Sequence, residues 1–335
     1  MSRGVAICGA GNLGRRYLEG ILASELIEVV HVYDISEDAL RACEKIVRRL
    51  GNGHAARSVA QVCLHETIDA LPTDLELAIV ATSADVRPEV VGQLAAHSRV
   101  PHWILEKVLA QDELGLDQLS VATSASLAWV NTPRRMMDWY RRLHRLVRGH
   151  RPISMVVSGG AWGLGCNAVH FIDVLAWWSG ETPCDIETSA LSHEWHPAKR
   201  KGFSEVYGSM SVTYTEGSCL TLTASHDPAS TGTGTGTGTG TETETEIEIE
   251  VEVGGLTWLI VESEGTARRS DGLELPGRVD LQSEMSAGLA DSILTTGTCL
   301  LPTLDESIST HRVLLRGLGD HWRRSGGSGN SVPIT

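Results

Sequence analysis

Residues 5–20 read VAICGAGNLGRRYLEG. A short apolar run meets three glycines, Gly9, Gly11 and Gly14, in the spacing G-x-G-x-x-G, and a helical pattern follows at once. Strand, glycine turn and helix in that order open a nucleotide-binding βαβ unit. The glycines permit a tight turn and let backbone N–H groups approach a pyrophosphate at the helix N terminus, where the helix dipole favours negative charge. Alone the motif is weak, and its surroundings give it weight. A second apolar run, IEVVHVYD, ends in Asp34, twenty residues past the last glycine. A carboxylate there accepts hydrogen bonds from the adenosine ribose hydroxyls and repels a 2′-phosphate, so the expected cofactor is NAD, with NADP disfavoured. Asn12 and Leu13, inside the turn, complete the expected cofactor loop.

The rhythm continues outward over residues 1–125. A helical pattern covers 37–50, LELAIVATS (75–83) reads as strand and PEVVGQLAAH (88–97) as helix, and HWILEKVLA (102–110) and LAWVN (127–131) read as further strands. This alternation predicts an α/β fold with a doubly wound parallel Rossmann sheet. Ligands of such sheets sit beyond the carboxyl ends of the strands. Thr82 and Ser83 end one strand and are placed to touch the cofactor, although Ser and Thr also serve as ordinary helix caps. Glu106 and Lys107 end another strand on the same rim. A lysine there can hydrogen-bond a substrate hydroxyl and act as an acid/base; the plainer reading is a surface Glu-Lys pair.

The chain has 335 residues, 41% of them hydrophobic, which suits two domains with real cores. Its net charge of −14 argues against nucleic acid or an anionic membrane as the main partner. The apolar strand starts almost at residue 1 with no leader pattern, and no run approaches the roughly 18 apolar residues a membrane helix needs. Seven cysteines without framework spacing read as reduced thiols of a cytoplasmic protein.

The texture changes in the second expected domain, residues 126–324. The stretch PRRMMDWYRRLHRLVRGHR (133–151) has Met136, Tyr140, Leu143 and Val147 at helical spacing and seven arginines against Asp138. It reads as an amphipathic helix with a solvated outer face, or more sharply as an anion-binding rim. In CNAVHFIDVLAWW (166–178) an apolar helix is interrupted by Cys166, His170 and Asp173, which share one face. Such a seam costs free energy unless its groups find partners, so it is either a satisfied network or the lining of a site. Strand patterns then dominate, separated by turn signals as in antiparallel meanders. Residues 231–253 repeat with period two, with glutamates at alternate positions from Glu242 to Glu252. The 247–253 part reads as a strand with one buried and one wet face, and the Gly-Thr part as a mobile loop. Same-face carboxylates on a strand lie about 7 Å apart, too far for a calcium cage. In SHEWHPAKRKGF (192–203) His193, Glu194 and His196 lack further ligands at matching spacing, so no metal is expected. Lys199 and Arg200 are candidate binders of an anionic substrate group. Residues 309–324 read as a closing helix and 325–335 as a disordered tail.

GAGNLG, Asp34, the ATSA of 81–84, Glu106-Lys107, and the glycine-rich lead into His170-x-x-Asp173 together resemble the Gfo/Idh/MocA oxidoreductases over roughly residues 4–322. The resemblance implies an N-terminal Rossmann domain and a C-terminal α/β domain on a large, mostly antiparallel open sheet. It also implies NAD(P)-dependent oxidation or reduction at a carbinol or carbonyl carbon, most often of a sugar. By that resemblance Lys107 contacts substrate and His170 acts in proton transfer, with substrate held between the Rossmann rim and the 166–178 helix. Asn167, His170, Lys107, Lys199 and Arg200 form the expected substrate set. Two departures stand out. The family's E-K-P reads Glu106-Lys107-Val108, which leaves the backbone beside Lys107 less constrained, and Cys166 replaces an Asp that many members place four residues before the His. KRKGFSEVYG and LPTLDES also look similar to members linked to bacterial surface-sugar biosynthesis. An uncovered sheet face suggests a homo-oligomer through the second domain, with the glutamate row at its exposed margin or edge. Alternatives are an NAD-binding sensor or scaffold without chemistry, and an NAD-dependent glycoside-cleaving enzyme.

Overall fold

A computed structural model of the chain describes residues 4–51, 60–226 and 247–335. Two compact units result: Met1–Ala110, Leu114–Asn131 and Asp280–Asp305 form the first, and Gln111–Glu113, Thr132–Val279 and Glu306–Thr335 the second.

Unit 1 is built on six parallel strands, β1 (Gly4–Cys8), β2 (Val29–Tyr33), β3 (Gln61–His65), β4 (Leu77–Val80), β5 (His102–Leu105) and β6 (Leu127–Val130), in the order β3-β2-β1-β4-β5-β6. Both central strands, β1 and β4, are buried at every residue. A strand covered on both faces must be continuously apolar, which is why GVAIC and LAIV carry no polar alternation. The strand order reverses between β1 and β4, and the crevice beyond their carboxyl ends is where such sheets bind ligands. β3 has no counterpart in the sequence reading: QVCLH is a half-buried edge strand whose pattern is too short and mixed to stand out.

Helices α1 (Asn12–Ile21), α2 (Glu37–Gly51) and α3 (Arg87–His97) follow strands as the alternation predicts, and α4 (Glu113–Ala122), between β5 and β6, has no counterpart among the expected helices. Unit 1 also takes a helix from far along the chain. This helix, named α7 below, spans Gln282–Thr296 and packs on α1. The contact is close because Gly20 has no side chain: a Cβ there would land on the carbonyl oxygen of Ser283 and 2.7 Å from Ser286 Cβ. Ser24 Oγ donates to Asp291 Oδ1 at 2.5 Å across the same contact. The simple division at residue 125 is therefore corrected. Residues 280–305 return to unit 1, because the small-residue face of α1 needs a cover supplied by tertiary packing.

Unit 2 contains α5 (Asp138–Val147), α6 (Leu164–Ser179), α8 (Leu304–Arg324) and a nine-stranded sheet. Its strands are β7 (Ser154–Gly159), β8 (Pro183–Glu187), β9 (Leu191–Pro197), β10 (Ser204–Tyr214), β11 (Cys219–Ala224), β12 (Ile247–Val253), β13 (Leu256–Val261), β14 (Thr266–Arg269) and β15 (Glu274–Pro276). They run in the order β15-β14-β13-β12-β7-β11-β10-β8, with β9 paired to β10; β7 and β11 are parallel and the other pairs antiparallel. α6 packs on β10 and β11, and Tyr214 Oη donates to the carbonyl of Ile172 at 3.0 Å.

On β12 the alternation works as read. Ile249, Val251 and Val253 are buried while Glu248, Glu250 and Glu252 are exposed. Each buried aliphatic contributes roughly 1.5–3 kcal/mol through apolar burial. The placement at a margin or edge is corrected, because β12 pairs with β13 on one side and β7 on the other. The wet face of a strand is set by alternation, and its position in the sheet by pairing order, which the pattern does not encode. The Gly-Thr stretch lies outside the described residues.

Two further expectations change. The tail 325–335 is packed: Val332 and Ile334 are at most 1% exposed, Val332 N donates to Gln111 O at 2.9 Å, and Ser204 N donates to Pro333 O at 2.6 Å. Its two apolar residues find a core that its Gly- and Ser-rich lead conceals. The basic stretch 133–151 is not simply a solvated face either. Arg134 makes two bonds to the Glu262 carboxylate, at 2.9 and 2.8 Å, while its guanidinium lies 4.5 Å from the Phe171 ring centroid. Tyr140 Oη also donates to Glu262. Burial would raise the Glu262 carboxyl, but Arg134 and Tyr140 outweigh it and hold it below the usual range.

Candidate functional sites in the two units

The glycine turn in unit 1 is held by close backbone contact. Gly9 has φ +99°, and a Cβ on it would lie 2.9 Å from Thr82 N. A Cβ on Gly14 would land on the Gly9 carbonyl oxygen. These positions admit only glycine without rearrangement. Gly11 is the N-cap of α1 and offers no side-chain cap, and the first turn carries no acidic residue, so the helix N terminus presents backbone N–H groups to an incoming anion. Asn12 is exposed and Leu13 half-buried at this terminus. Arg15 bends back over the turn and donates to Asn12 Oδ1 at 2.5 Å.

Asp34 lies against this turn. Its Oδ2 accepts from Ala10 N at 2.6 Å and its Oδ1 from Ser36 N at 2.8 Å. Two backbone donors fix the carboxylate and leave lone pairs for ribose hydroxyls. Ile35, next in sequence, is 84% exposed, an apolar surface beside the ribose position that the sequence reading passed over. Its signal was there: a large aliphatic directly after a strand-end acid. Thr82 is half-buried behind Gly9, and its Oγ1 is buried with no hydrogen-bond partner. Ser83 O accepts from Arg87 N at 3.0 Å at the start of α3. The glycine cradle, the fixed carboxylate and the orphaned hydroxyl all fit a dinucleotide.

Glu106 and Lys107 separate. Successive side chains at a strand end point opposite ways. Glu106 is 2% exposed, and its Oε1 accepts from Tyr17 Oη at 2.7 Å and Asn131 Nδ2 at 2.6 Å; Asn131 Nδ2 also donates to Gln282 Oε1 at 2.8 Å. One buried network thus ties α1, the ends of β5 and β6, and α7. Burial pushes the Glu106 carboxyl up, against the downward pull of Tyr17, Asn131, Arg87 and Lys107. Glu106 is brought into this protein network rather than onto the open rim expected of it. Lys107 is half-buried, and its peptide bond to Val108 is cis. Arg87 is buried nearby and donates to the carbonyls of Thr82, Val108 and Leu109, joining the loops that follow β4 and β5. No spacing in the sequence marks Arg87, Asn131 or Tyr17, since each acts through a partner distant in the chain.

In unit 2, α6 starts at Gly163, whose φ of +77° turns the chain into the helix. The helix N terminus is met by a buried carboxylate: Glu205 Oε1 accepts from Gly165 N at 2.5 Å, and Cys166 Sγ lies 3.8 Å from Glu205 Oε2. Asn167 Nδ2 donates to Trp162 O at 2.8 Å. The polar seam divides along its length. Cys166, Asn167 and His170 are half-buried on the open side, whereas Asp173 is buried and paired. Asp173 accepts from Arg135 Nε at 3.0 Å, Arg135 Nη2 at 2.7 Å and Thr132 Oγ1 at 3.0 Å. Burial pushes its carboxyl up, and Arg135 and Thr132 pull against that. Asp173 anchors α6, and His170, the candidate reacting group, lies one turn away on the same helix. Lys199 and Arg200 are exposed on the turn between β9 and β10. Among the described residues no three His, Cys, Asp or Glu side chains converge as a metal site, and no helix is long and apolar enough to cross a membrane. All seven cysteines are unbridged.

Residues 3–121 match the family model described as the oxidoreductase family, NAD-binding Rossmann fold, GFO_IDH_MocA. Residues 3–121 thus carry that family's NAD-binding Rossmann fold. No curated protein matches the chain in sequence. Solved structures match nearly its whole length. UDP-N-acetylglucosamine 3-dehydrogenase GnnA from Acidithiobacillus ferrooxidans has a TM-score of 0.69 at 11% identity, covering 95% of this chain and 97% of that one. GenD2 from gentamicin A biosynthesis, in complex with NAD, has a TM-score of 0.66 at 16% identity, covering 95% and 94%. Scyllo-inositol dehydrogenase from Lactobacillus casei, with bound cofactor NAD(H) and scyllo-inositol, has a TM-score of 0.65 at 13% identity, covering 97% and 98%. At these identities the likeness establishes the fold. The α/β architecture, a Rossmann sheet plus a mostly antiparallel one, is shared with these structures along nearly the whole chain.

Proposed function

We propose that the chain is an NAD-dependent oxidoreductase acting at a carbinol or carbonyl carbon of a sugar or sugar derivative. The observation that carries this reading is the Gly9–Gly14 turn with Asp34 bonded to Ala10 N. When bound, NAD supplies or accepts the hydride. In this reading Gly9, Gly11, Asn12, Leu13 and Gly14 bind the pyrophosphate, Asp34 the ribose, and Thr82 and Ser83 the neighbouring part of the dinucleotide. The UDP-sugar and the inositol for which two of these similar structures are named support a polyhydroxylated substrate. Lys107, Asn167 and His170 hold its hydroxyls, Lys199 and Arg200 any anionic group, and Lys107 Nζ or the His170 imidazole takes the proton from the reacting oxygen. The buried supports favour this: Glu106 and Asp173 are consumed by fixed networks, which orients their neighbours Lys107 and His170.

The test is titration with NADH and NADPH, exciting tryptophan and reading nicotinamide emission. Saturable transfer that is stronger with NADH is expected, and no transfer from protein free of endogenous NAD would sink the reading. Lys107→Ala should keep that transfer and lose turnover on the sugar that the wild type oxidises. The reading includes a homo-oligomer through the unit 2 sheet, supported by an outward face where Val156 and Leu259, each 38% exposed, lie among Ser, Thr and Glu. A monomer mass by light scattering would remove that part.

A further inference from the structure

We propose that unit 2 carries a recognition site for the nucleoside diphosphate portion of a nucleotide-sugar, built from the rings of His196, Tyr207 and His226 and the basic turn Lys199, Arg200 and Lys201. This rests on the reading of the chain as a sugar oxidoreductase and names its substrate class.

The register locates the rings. Glu205 on β10 stands opposite His196 on β9, so the two side chains share one face of the sheet. Glu205 is the carboxylate that meets Gly165 N at the start of α6. His196 is therefore beside the first turn of α6, the helix that carries Asn167 and His170. Tyr207, two residues past Glu205 on the same strand, sits where the β9–β10 register shifts between Val206 and Gly208. His226, just past the end of β11, closes the group. Its ring stacks on His196 with centroids 4.5 Å apart and planes at 16°, and stands edge-on to Tyr207 at 4.7 Å. The His196 and Tyr207 rings are 5.2 Å apart.

These rings lie outside the core. His226 is exposed, and His196 and Tyr207 are half-buried. A near-parallel pair of heteroaromatic rings at the surface is a surface on which a nucleobase can stack, and such stacking tolerates any base because every base has a π-face. Three to five residues past His196 come Lys199, Arg200 and Lys201, all exposed, in a chain of net charge −14. Cations on the same turn as a ring platform suit a base joined to a diphosphate, since guanidinium and ammonium groups bind phosphate oxygens. Two carboxylates lie near the rings: Glu194, 4.0 Å from His196 Nδ1, and Glu205, which accepts from the backbone of Gly165 and Val206. Burial, and then the charge of Glu205, raises the Tyr207 hydroxyl. The sugar would then reach Asn167 and His170 while the nucleotide end rests on the rings.

The experiment is calorimetric titration of the full chain, saturated with NADH to occupy the dinucleotide site, with UDP, GDP, dTDP and inorganic diphosphate. At least one nucleoside diphosphate should bind more tightly than inorganic diphosphate. His226→Ala and Tyr207→Ala should each weaken it by about tenfold, the scale of losing one base–aromatic stack. His226→Phe, which keeps a ring, should retain it, and Lys199→Ala with Arg200→Ala should weaken nucleotide and inorganic diphosphate together. Equal binding of all four probes, or nucleotide affinity unchanged in both ring-to-Ala variants, overturns the site. Tryptophan-to-NADH transfer is read in the same variants and should not move. Its failure in the wild type would count against the oxidoreductase reading, while the ring test stands on the nucleoside diphosphate alone.

Discussion

Glu106→Gln tests the buried network of unit 1. The carboxyl is 2% exposed and accepts from Tyr17 Oη and Asn131 Nδ2, both of which favour its charged form. Burial nevertheless wins and holds it above the usual carboxylate value. A carboxyl raised in the folded state stabilises the fold fully below its unfolded value, about 4.3, and that contribution is lost as pH rises through the folded value. Across that window the folded state holds up to one proton more than the unfolded state. Wild-type stability therefore falls by as much as about 1.4 kcal/mol per pH unit from this group, then levels off. Glutamine still accepts from Tyr17 and Asn131 through its Oε1 and carries no charge. The variant lacks this slope, so its stability relative to wild type should climb with pH above about 4.3 and then plateau. Urea unfolding followed by circular dichroism at half-unit steps from pH 4 to 8 reads the difference. A difference that stays flat or falls with pH would show that the donors, not burial, govern Glu106.

Arg135→Ala should destabilise the protein by roughly 3–5 kcal/mol, because the buried Asp173 carboxylate loses its charged partner, and Asp173→Ala should cost less, because Arg135 keeps Glu306. The combined Arg135→Met, Asp173→Leu variant should recover most of that by thermal melting, and equal losses in all three would contradict it. Truncation before Ser331 removes Val332 and Ile334 and should cost roughly 1.5–3 kcal/mol for each buried side chain; an unchanged melting temperature would restore the disordered tail. Gly14→Ala places a Cβ on the Gly9 carbonyl oxygen. It should abolish tryptophan-to-NADH transfer, and normal transfer would mean the turn is looser than described.

What the sequence by itself determined were features carried by short, contiguous patterns. Val5–Gly14 specified strand, turn and helix, because glycine spacing acts on backbone conformation locally. Asp34 followed from its place at a strand end. The Ile247–Val253 alternation gave its buried and wet faces, since period two is a property of the strand itself. Cys166, His170 and Asp173 could be put on one helix face by spacing alone.

Tertiary structure decided which of these side chains are spent on support. Asp173 and His170 look alike in sequence, one turn apart, yet Arg135 claims the first, and Arg135 itself read as part of a solvated basic face. Glu106 and Lys107 are adjacent, yet the glutamate is the one that Tyr17 and Asn131 bind in a buried network reaching Gln282. Residues 280–305 cross back to unit 1, and the tail packs beside Gln111, because apolar faces and backbone donors find partners wherever the chain offers them. Those partners lie tens to hundreds of residues away in the chain. Local pattern encodes conformation and facing; it holds no record of which distant group will satisfy a buried charge, and that satisfaction is what marks Asp173 and Glu106 as structural carboxylates.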